Sequence, residues 1–319
     1  MSERNIISEC MFLAVPIHAE VYIKEISLLS KGSCKIRDVA TYPSIVGIVN
    51  GRAASANALC FIDKQPSTTA LSMLIGAVVI TTQELASCME KSFVITTGDP
   101  RAVFIDLMKA LALVPGFLPL SSLSGDLPAI HPSASIHPAA HIEKGVFIGA
   151  DTVIASGCVI KSGTWIGERV IVRENTVIGS DGIALYKTRD GRTMRFPHLA
   201  GVHIGNDTEI GAGCVLSRGA MSSSVIGHST VIGNLCNIGH GIQIGERVWM
   251  SVGTLVGGNT TIGAGATIGM GACVRDNIYI GEKASIGMGS VVMKDVPAGA
   301  SLFGNPAKRL PSVDAGPER

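Results

Sequence analysis

Eight histidines, His18, His131, His137, His141, His198, His203, His228 and His240, are the side chains of this 319-residue chain best suited to moving a proton near neutral pH. A lone histidine is more often structural than catalytic, so context must separate them. The eight cysteines, Cys10, Cys34, Cys60, Cys88, Cys158, Cys214, Cys236 and Cys273, include no Cys-x-x-Cys pair. Neither a zinc knuckle nor a thioredoxin-type redox site is therefore indicated, and scattered single thiols fit a reducing compartment. A third candidate is basic: Lys187, Arg189, Arg192 and Arg195 lie close together. They form either a solvated loop or a contact to the phosphate of a nucleotide or phosphopantetheine group.

Composition limits the scaffold that positions these groups. An apolar content of 46% fills a core, and only 16% of residues are charged, so the chain is not a disordered one. A formal charge of +1 argues against a broad phosphate-binding surface and hence against nucleic acid as a partner. No apolar run approaches the ~20 residues that span a bilayer. Met11 to Pro16 is too brief for a signal-peptide core. The expectation is a soluble cytoplasmic protein, not an integral membrane protein.

Glycine is enriched, with 38 residues, and its placement is periodic. From Ile130 an aliphatic recurs every six positions through Ile178; the register resumes at Ile204, Ile210 and Leu216, and again from Ile226 to Val292. Glycine often follows the aliphatic, as at Gly149, Gly205 and Gly263, and a small residue often sits four after it, as at Thr152, Cys158 and Ala266. A period of six suits neither an ordinary helix nor an exposed strand. It suits a coil of three short strands, each with its aliphatic inward and a corner where a Cβ would clash. The 24 hexads then make eight triangular coils, a prism roughly 40 Å long at ~4.8 Å per coil. Two interruptions, residues 179–203 and 217–225, leave this register; the first carries the four basic residues and the second only Arg218.

Residues before 126 lack the repeat. Gly76 to Thr81 reads as a buried strand, and Asp99-Pro100 as an N-cap with proline at the first helical position. Val103, Phe104, Leu107, Met108 and Leu111 share one face of the helix that follows. The expected organisation is mainly β: a small α/β domain over 1–125, a parallel β-helix over 126–300, and a tail over 301–319. Leu120 to Pro128 is the expected linker.

The hexads resemble those of the hexapeptide-repeat acyltransferases, which implies a left-handed β-helix and a homotrimer. The α/β domain ahead of them narrows the resemblance to the UDP-3-O-acylglucosamine N-acyltransferases of lipid A synthesis. Leu59-Cys-Phe-Ile-Asp63, Ala77-Val-Val-Ile-Thr-Thr82 and Val94-Ile-Thr-Thr-Gly-Asp-Pro100 match in order and spacing. The resemblance covers about residues 20 to 300 and makes Phe61 the residue that contacts the base. There are departures. Lys64 and Ser67 stand where the family has asparagine and tyrosine, and a tyrosine stack is worth ~0.5–1.5 kcal/mol. The ending Gly304-Asn-Pro-Ala-Lys308 looks instead like coenzyme A-dependent sugar acetyltransferases.

Asn234-Leu-Cys-Asn-Ile-Gly-His240-Gly-Ile-Gln-Ile-Gly245 resembles the family's catalytic segment, which singles out His240 as general base. Gly258, one coil of 18 residues later, corresponds to the oxyanion donor. Asn234 and His198 are candidate substrate contacts. The family's aspartate before the asparagine is Gly233 here, and its second histidine, near Asn277, is missing. The resemblance implies transfer of an acyl group from acyl carrier protein or acyl-coenzyme A, as co-substrate, to the amine of a nucleotide-linked amino sugar. It implies no permanently bound cofactor and no metal. One rival is a coenzyme A-dependent N-acyltransferase of a dTDP- or UDP-amino sugar for surface polysaccharide. Another is a zinc enzyme of the γ-carbonic anhydrase type, suggested by His198-x4-His203, although no third histidine lies about two coils upstream. A purely structural solenoid is the last.

Overall fold

The computed structural model describes residues 10–30, 33–37, 41–49, 55–114 and 128–310. These fall into two compact units. The larger takes in 124–182, 201–219 and 223–319, and the smaller 1–123, 183–200 and 220–222.

In the larger unit each hexad forms one short strand, and the strands build three parallel faces. The first face begins with Ala129–Ile130, the second with Ser135–Ile136 and the third with His141–Ile142. Each strand pairs with its equivalent one coil away, as in Phe147↔Trp165 and Ile148↔Ile166. The register skips directly from Ile166 to Ile204 and from Ile204 to Ile226, so both interruptions leave the prism without shifting any inward side chain. From Ile148 onward every inward aliphatic of the repeat is at most 5% exposed, whereas Ile130, in the first coil, is 38% exposed. The 24 hexads of the sequence therefore appear as eight strands on each face.

The corners explain the rest of the hexad. A Cβ at Gly149 would lie 2.6 Å from the Gly167 carbonyl oxygen of the next coil, so the position after the aliphatic is bare because successive backbones crowd there. The residue two further on adopts the left-handed conformation, as Asn175 (φ 57°) and Lys283 (φ 54°) do. The small residue after that points inward and holds a corner carbonyl. Thr152 Oγ1 donates to Gly167 O at 2.8 Å, Thr176 Oγ1 to Gly211 O at 2.7 Å and Cys158 Sγ to Arg173 O at 3.0 Å. Buried hydroxyls and thiols thus satisfy polar groups that the corner would otherwise bury unpaired.

The expected tail begins as part of this unit. Ser301–Phe303 adds to the second face in parallel with Ser285–Ile286, and Lys308–Arg309 turns back antiparallel on it. Residues 311–319 of the tail lie outside the described residues.

The smaller unit is a six-stranded sheet in the order β1 (Cys10–Ile17), β3 (Ile45–Val49), β4 (Ala58–Ile62), β5 (Val78–Thr81), β6 (Phe93–Thr96), β2 (Lys35–Ile36). Strands β3 to β6 are parallel, and β1 and β2 run antiparallel at the edges. Helix Pro100–Leu111 starts where expected: Asp99 Oδ1 accepts the Ala102 N–H at 3.1 Å, and Pro100 takes the first helical position. Its buried Phe104, Leu107, Met108 and Leu111 join Ile48, Leu59 and Ile80 in the core.

The division into units is not the linear one expected from the repeat. Residues 183–200, expected within the 126–300 domain, belong to the smaller unit as an antiparallel hairpin of Leu185–Lys187 and Thr193–Arg195. Apolar burial is the reason: Met194 packs with Ala102 and Ile105, and the Phe196 ring lies 6.1 Å from that of Phe104. The expected linker lies outside the described residues except for Pro128.

Two substitutions separate the roles of the corner positions. At Gly263 a Cβ would meet Glu282 N at 2.4 Å, so Gly263→Ala lowers stability by ~1–3 kcal/mol. Lys283→Asn removes a left-handed penalty from a longer side chain and raises it by roughly 0.5–1 kcal/mol. Denaturant midpoints moving in the same direction for both would refute this assignment.

Candidate functional site

His240 follows the buried Ile238 by two residues, at the edge where the third face turns into the first, between strands Asn237–Ile238 and Gln243–Ile244. The turn is built to hold it. Gly241 is left-handed (φ 65°), its N–H donates to Ser224 Oγ at 3.0 Å, and a Cβ there would strike Asn259 Oδ1 at 2.5 Å. On the next coil, Asn259 N–H donates to His240 O at 2.7 Å. On the coil after that, Asn277 N–H donates to Gly258 O at 2.9 Å. Residues 240, 258 and 276 therefore stand one above another.

The imidazole lies on Gly258. A Cβ at 258 would be 2.6 Å from His240 Nε2, 2.8 Å from Cε1 and 2.9 Å from Cδ2, so the ring fills the space that any side chain there would take. Burial pushes the His240 pKa below the usual histidine value, and the negative charge of Asp276 partly offsets that. A half-buried, neutral imidazole at a prism edge is chemically a proton acceptor.

The other candidates fall elsewhere. Asn234 stands on a different edge of the same prism, after the second face, and its Oδ1 accepts the Ala212 N–H at 2.9 Å, which gives it a turn-holding role. In the smaller unit Phe61 packs on Phe104 at 4.9 Å, with the Arg101 guanidinium 5.2 Å from its ring centroid. Arg101 also lies 5.1 Å from the Tyr186 ring and 3.2 Å from the Asp63 carboxylate. Tyr186 OH donates to Asp99 Oδ1 at 2.7 Å. His198 is buried, at 6% exposure. Of the four basic residues in the hairpin, Arg192 pairs with Asp190 at 2.8 Å, while Arg189 lines an open polar cavity of about 320 Å³ with Lys35, Thr82, Glu84, Thr97 and Gly98.

Sequence reasoning passed over the roles of four residues. Asp276 was findable by counting two coils from His240. Arg101 and Tyr186 had no signal, because their contact depends on the hairpin folding onto the helix whose first turn holds Arg101. Arg218 looked incidental, but it is buried, and its Nε donates to Gly179 O at 2.8 Å and its Nη2 to Ser162 O. Among the described residues no cluster of three or more His, Cys, Asp or Glu could hold a metal ion, and no helix is long and apolar enough to cross a membrane.

Residues 145–180 and 259–294 match the bacterial transferase hexapeptide (six repeats) family. The chain carries bacterial transferase hexapeptide repeats. Its solenoid is a β-helix of parallel strands. It is similar to the UDP-3-O-acylglucosamine N-acyltransferase of Coxiella burnetii, 41% identical over 63 residues, which are 20% of this chain and 18% of that one. The corresponding protein of Polynucleobacter asymbioticus is 42% identical over 65 residues, 19% of this chain and 18% of that one. The matched stretch thus spans less than a fifth of the length of either relative. Among solved structures, the UDP-N-acetylglucosamine acyltransferase of Francisella novicida aligns with a TM-score of 0.49 at 24% identity, over 59% of this chain and 69% of that one.

His203 provides a pH test of burial. Its ring stacks on Trp165 at 5.7 Å, Trp165 stacks on Phe147 at 5.3 Å, and burial lowers its pKa as it does that of His240. An unfolded histidine takes up a proton at a pH where these two do not, so acid favours the unfolded chain. Stability therefore falls as pH drops below about 6.5. His203→Phe keeps the stack and makes that fall shallower, as read from thermal melts between pH 7.5 and 5; an unchanged slope would count against the burial argument.

Proposed function

We propose that this chain is an N-acyltransferase that moves an acyl group from a thioester to the amine of a nucleotide-linked amino sugar. The observation that carries the reading is the His240 imidazole seated on the bare Cα of Gly258. The free amine attacks the thioester carbonyl, and His240 takes the N–H proton as the C–N bond forms. The tetrahedral oxyanion collapses, the C–S bond breaks, and the thiolate leaves and takes up a proton. In this reading the Gly258 N–H faces the oxyanion, a type of contact worth ~2.7–4 kcal/mol. The named relatives are N-acyltransferases of UDP-3-O-acylglucosamine, and that amino sugar is the acceptor we favour.

Phe61 is the base-contacting residue in this scheme. Arg101, which lies over its ring, adds a cation beside the sugar nucleotide's charge. Asn234 and His198 stay candidate substrate contacts, the first through its amide nitrogen. The outward row of the third face carries Val159, Val177, Val215, Leu255 and Val291, with His141, Asn237 and Cys273 among them, and this largely apolar row suits packing against further copies of the chain in a homotrimer. A stable monomer by light scattering would contradict that assembly.

A second reading has its own observation. Gly304 to Lys308 forms an ordered turn on the last coil, with Gly304 N–H donating to Ser290 Oγ at 3.1 Å and Ala307 N–H to Val291 O at 2.8 Å. That segment favours coenzyme A as donor and a dTDP- or UDP-amino sugar of surface polysaccharide as acceptor. Thiol release from acyl carrier protein and acyl-coenzyme A donors, each crossed with UDP- and dTDP-amino sugars, separates the two. With the productive pair, His240→Ala loses ~10²–10⁴-fold in kcat/KM. Full turnover by the variant would remove His240 from the chemistry.

A further inference from the structure

We infer that Asp276 is the positioning residue for His240, and that the missing side chain of Gly258 lets it act from two coils away. The inference rests on His240 being the proton acceptor proposed above. Residues 240, 258 and 276 form one column, set by the corner bonds from Asn259 N–H to His240 O and from Asn277 N–H to Gly258 O. Two coil spacings put the outer backbones of the column ~10 Å apart. The imidazole spans part of that gap, because it occupies the place of the absent Gly258 side chain and so lies in the coil directly beneath Asp276. Any larger residue at 258 would both displace the ring and screen it from the carboxylate.

The carboxylate is itself held. Asn277 Nδ2 donates to Asp276 Oδ2 at 2.5 Å, and the backbone at 276 is pressed against the preceding coil, since a Cβ at Gly257 would lie 2.4 Å from Asp276 N. Of the other charged groups along this edge, Lys294 stands one coil beyond Asp276, on the side away from His240, and is exposed. Arg218, in the coil before His240, turns its guanidinium to Gly179 O and Ser162 O in earlier coils, with Asp181 3.8 Å away. Asp276 and its neighbour Arg275 are both exposed, and of the two only Asp276 stands in the column of His240 and Gly258. Burial makes His240 reluctant to hold a proton, and the charge of Asp276 acts against that reluctance. A base that accepts a proton during amine attack needs this correction, because the imidazolium it becomes would otherwise be poorly solvated. The chain lacks both family groups that the sequence led one to look for near His240, with Gly233 and Asn277 in their places.

The test follows the His240 ring signal by NMR against pH in the full chain, alongside pH profiles of kcat and kcat/KM. In Asp276→Asn the His240 titration moves to lower pH, the acid limb of kcat/KM moves with it, and kcat falls about tenfold at the plateau while KM stays within about twofold. Asp276→Glu restores the titration and most of the rate, which a purely structural role would not produce in the pH profile. An unchanged His240 titration in a folded Asp276→Asn chain overturns the inference. A shifted titration with an unmoved rate profile supports the coupling and overturns instead the assignment of His240 as base.

Discussion

The larger unit depends on one constraint: each coil must present its strands to the next at hydrogen-bonding distance, ~4.8 Å, on all three faces at once. Three faces can meet that spacing together only if every corner is equally tight. The bare position after the aliphatic, the left-handed residue two further on and the inward hydroxyl or thiol after that are three answers to the same crowding. Gly149 avoids a 2.6 Å clash, Asn175 turns the chain at φ 57°, and Thr176 holds the Gly211 carbonyl. Loss of any one changes a coil spacing, and a changed spacing is felt on every face.

That constraint also determines where the chain is free to vary. The two insertions leave at edges and return to the same strand register, Ile166 to Ile204 and Ile204 to Ile226, because a shift of one residue would turn the inward aliphatics outward. The longer insertion carries apolar residues of its own, and Met194 and Phe196 pack with the helix of the smaller unit. Its charges are then placed by that packing: the Arg189 N–H donates to Asp99 Oδ2 at 3.2 Å, beside the cap of the same helix.

The solenoid was legible because its pattern is both local and repeated. Ile226 to Val292 gives twelve hexads in phase, and each states the same inward side chain. Asp99-Pro100 announced its helix for a similar reason, since cap and proline act within one turn. The hairpin was not legible. Lys187, Arg189, Arg192 and Arg195 give its segment the composition of a loop, while its folding is decided by Tyr186, Met194 and Phe196 meeting residues more than 80 positions away. Asn234 shows a different limit: asparagine suits both a substrate amide contact and a corner, and only the 2.9 Å bond to Ala212 N–H shows the use its oxygen is put to. His240 and Gly258 were placed together by counting 18 residues, and the structure adds that the ring lies on the glycine rather than beside it.

In a coiled solenoid the neighbours of a residue are those 18 positions away, apart from the two interruptions, and sequence neighbours soon lie on another face. A histidine at an edge therefore takes its electrostatic surroundings from its column. Below His240 the column carries Arg218, which is committed to carbonyls of earlier coils; above it come a glycine and then a carboxylate. The glycine is usually read as permission for the backbone, but here it also removes the one side chain that would stand between a half-buried base and its counter-charge. A search for the carboxylate near His240 in sequence ends at Gly233, whereas a search along the column ends at Asp276. For His240 burial is the larger influence, and the carboxylate two coils away opposes it across a position that is bare.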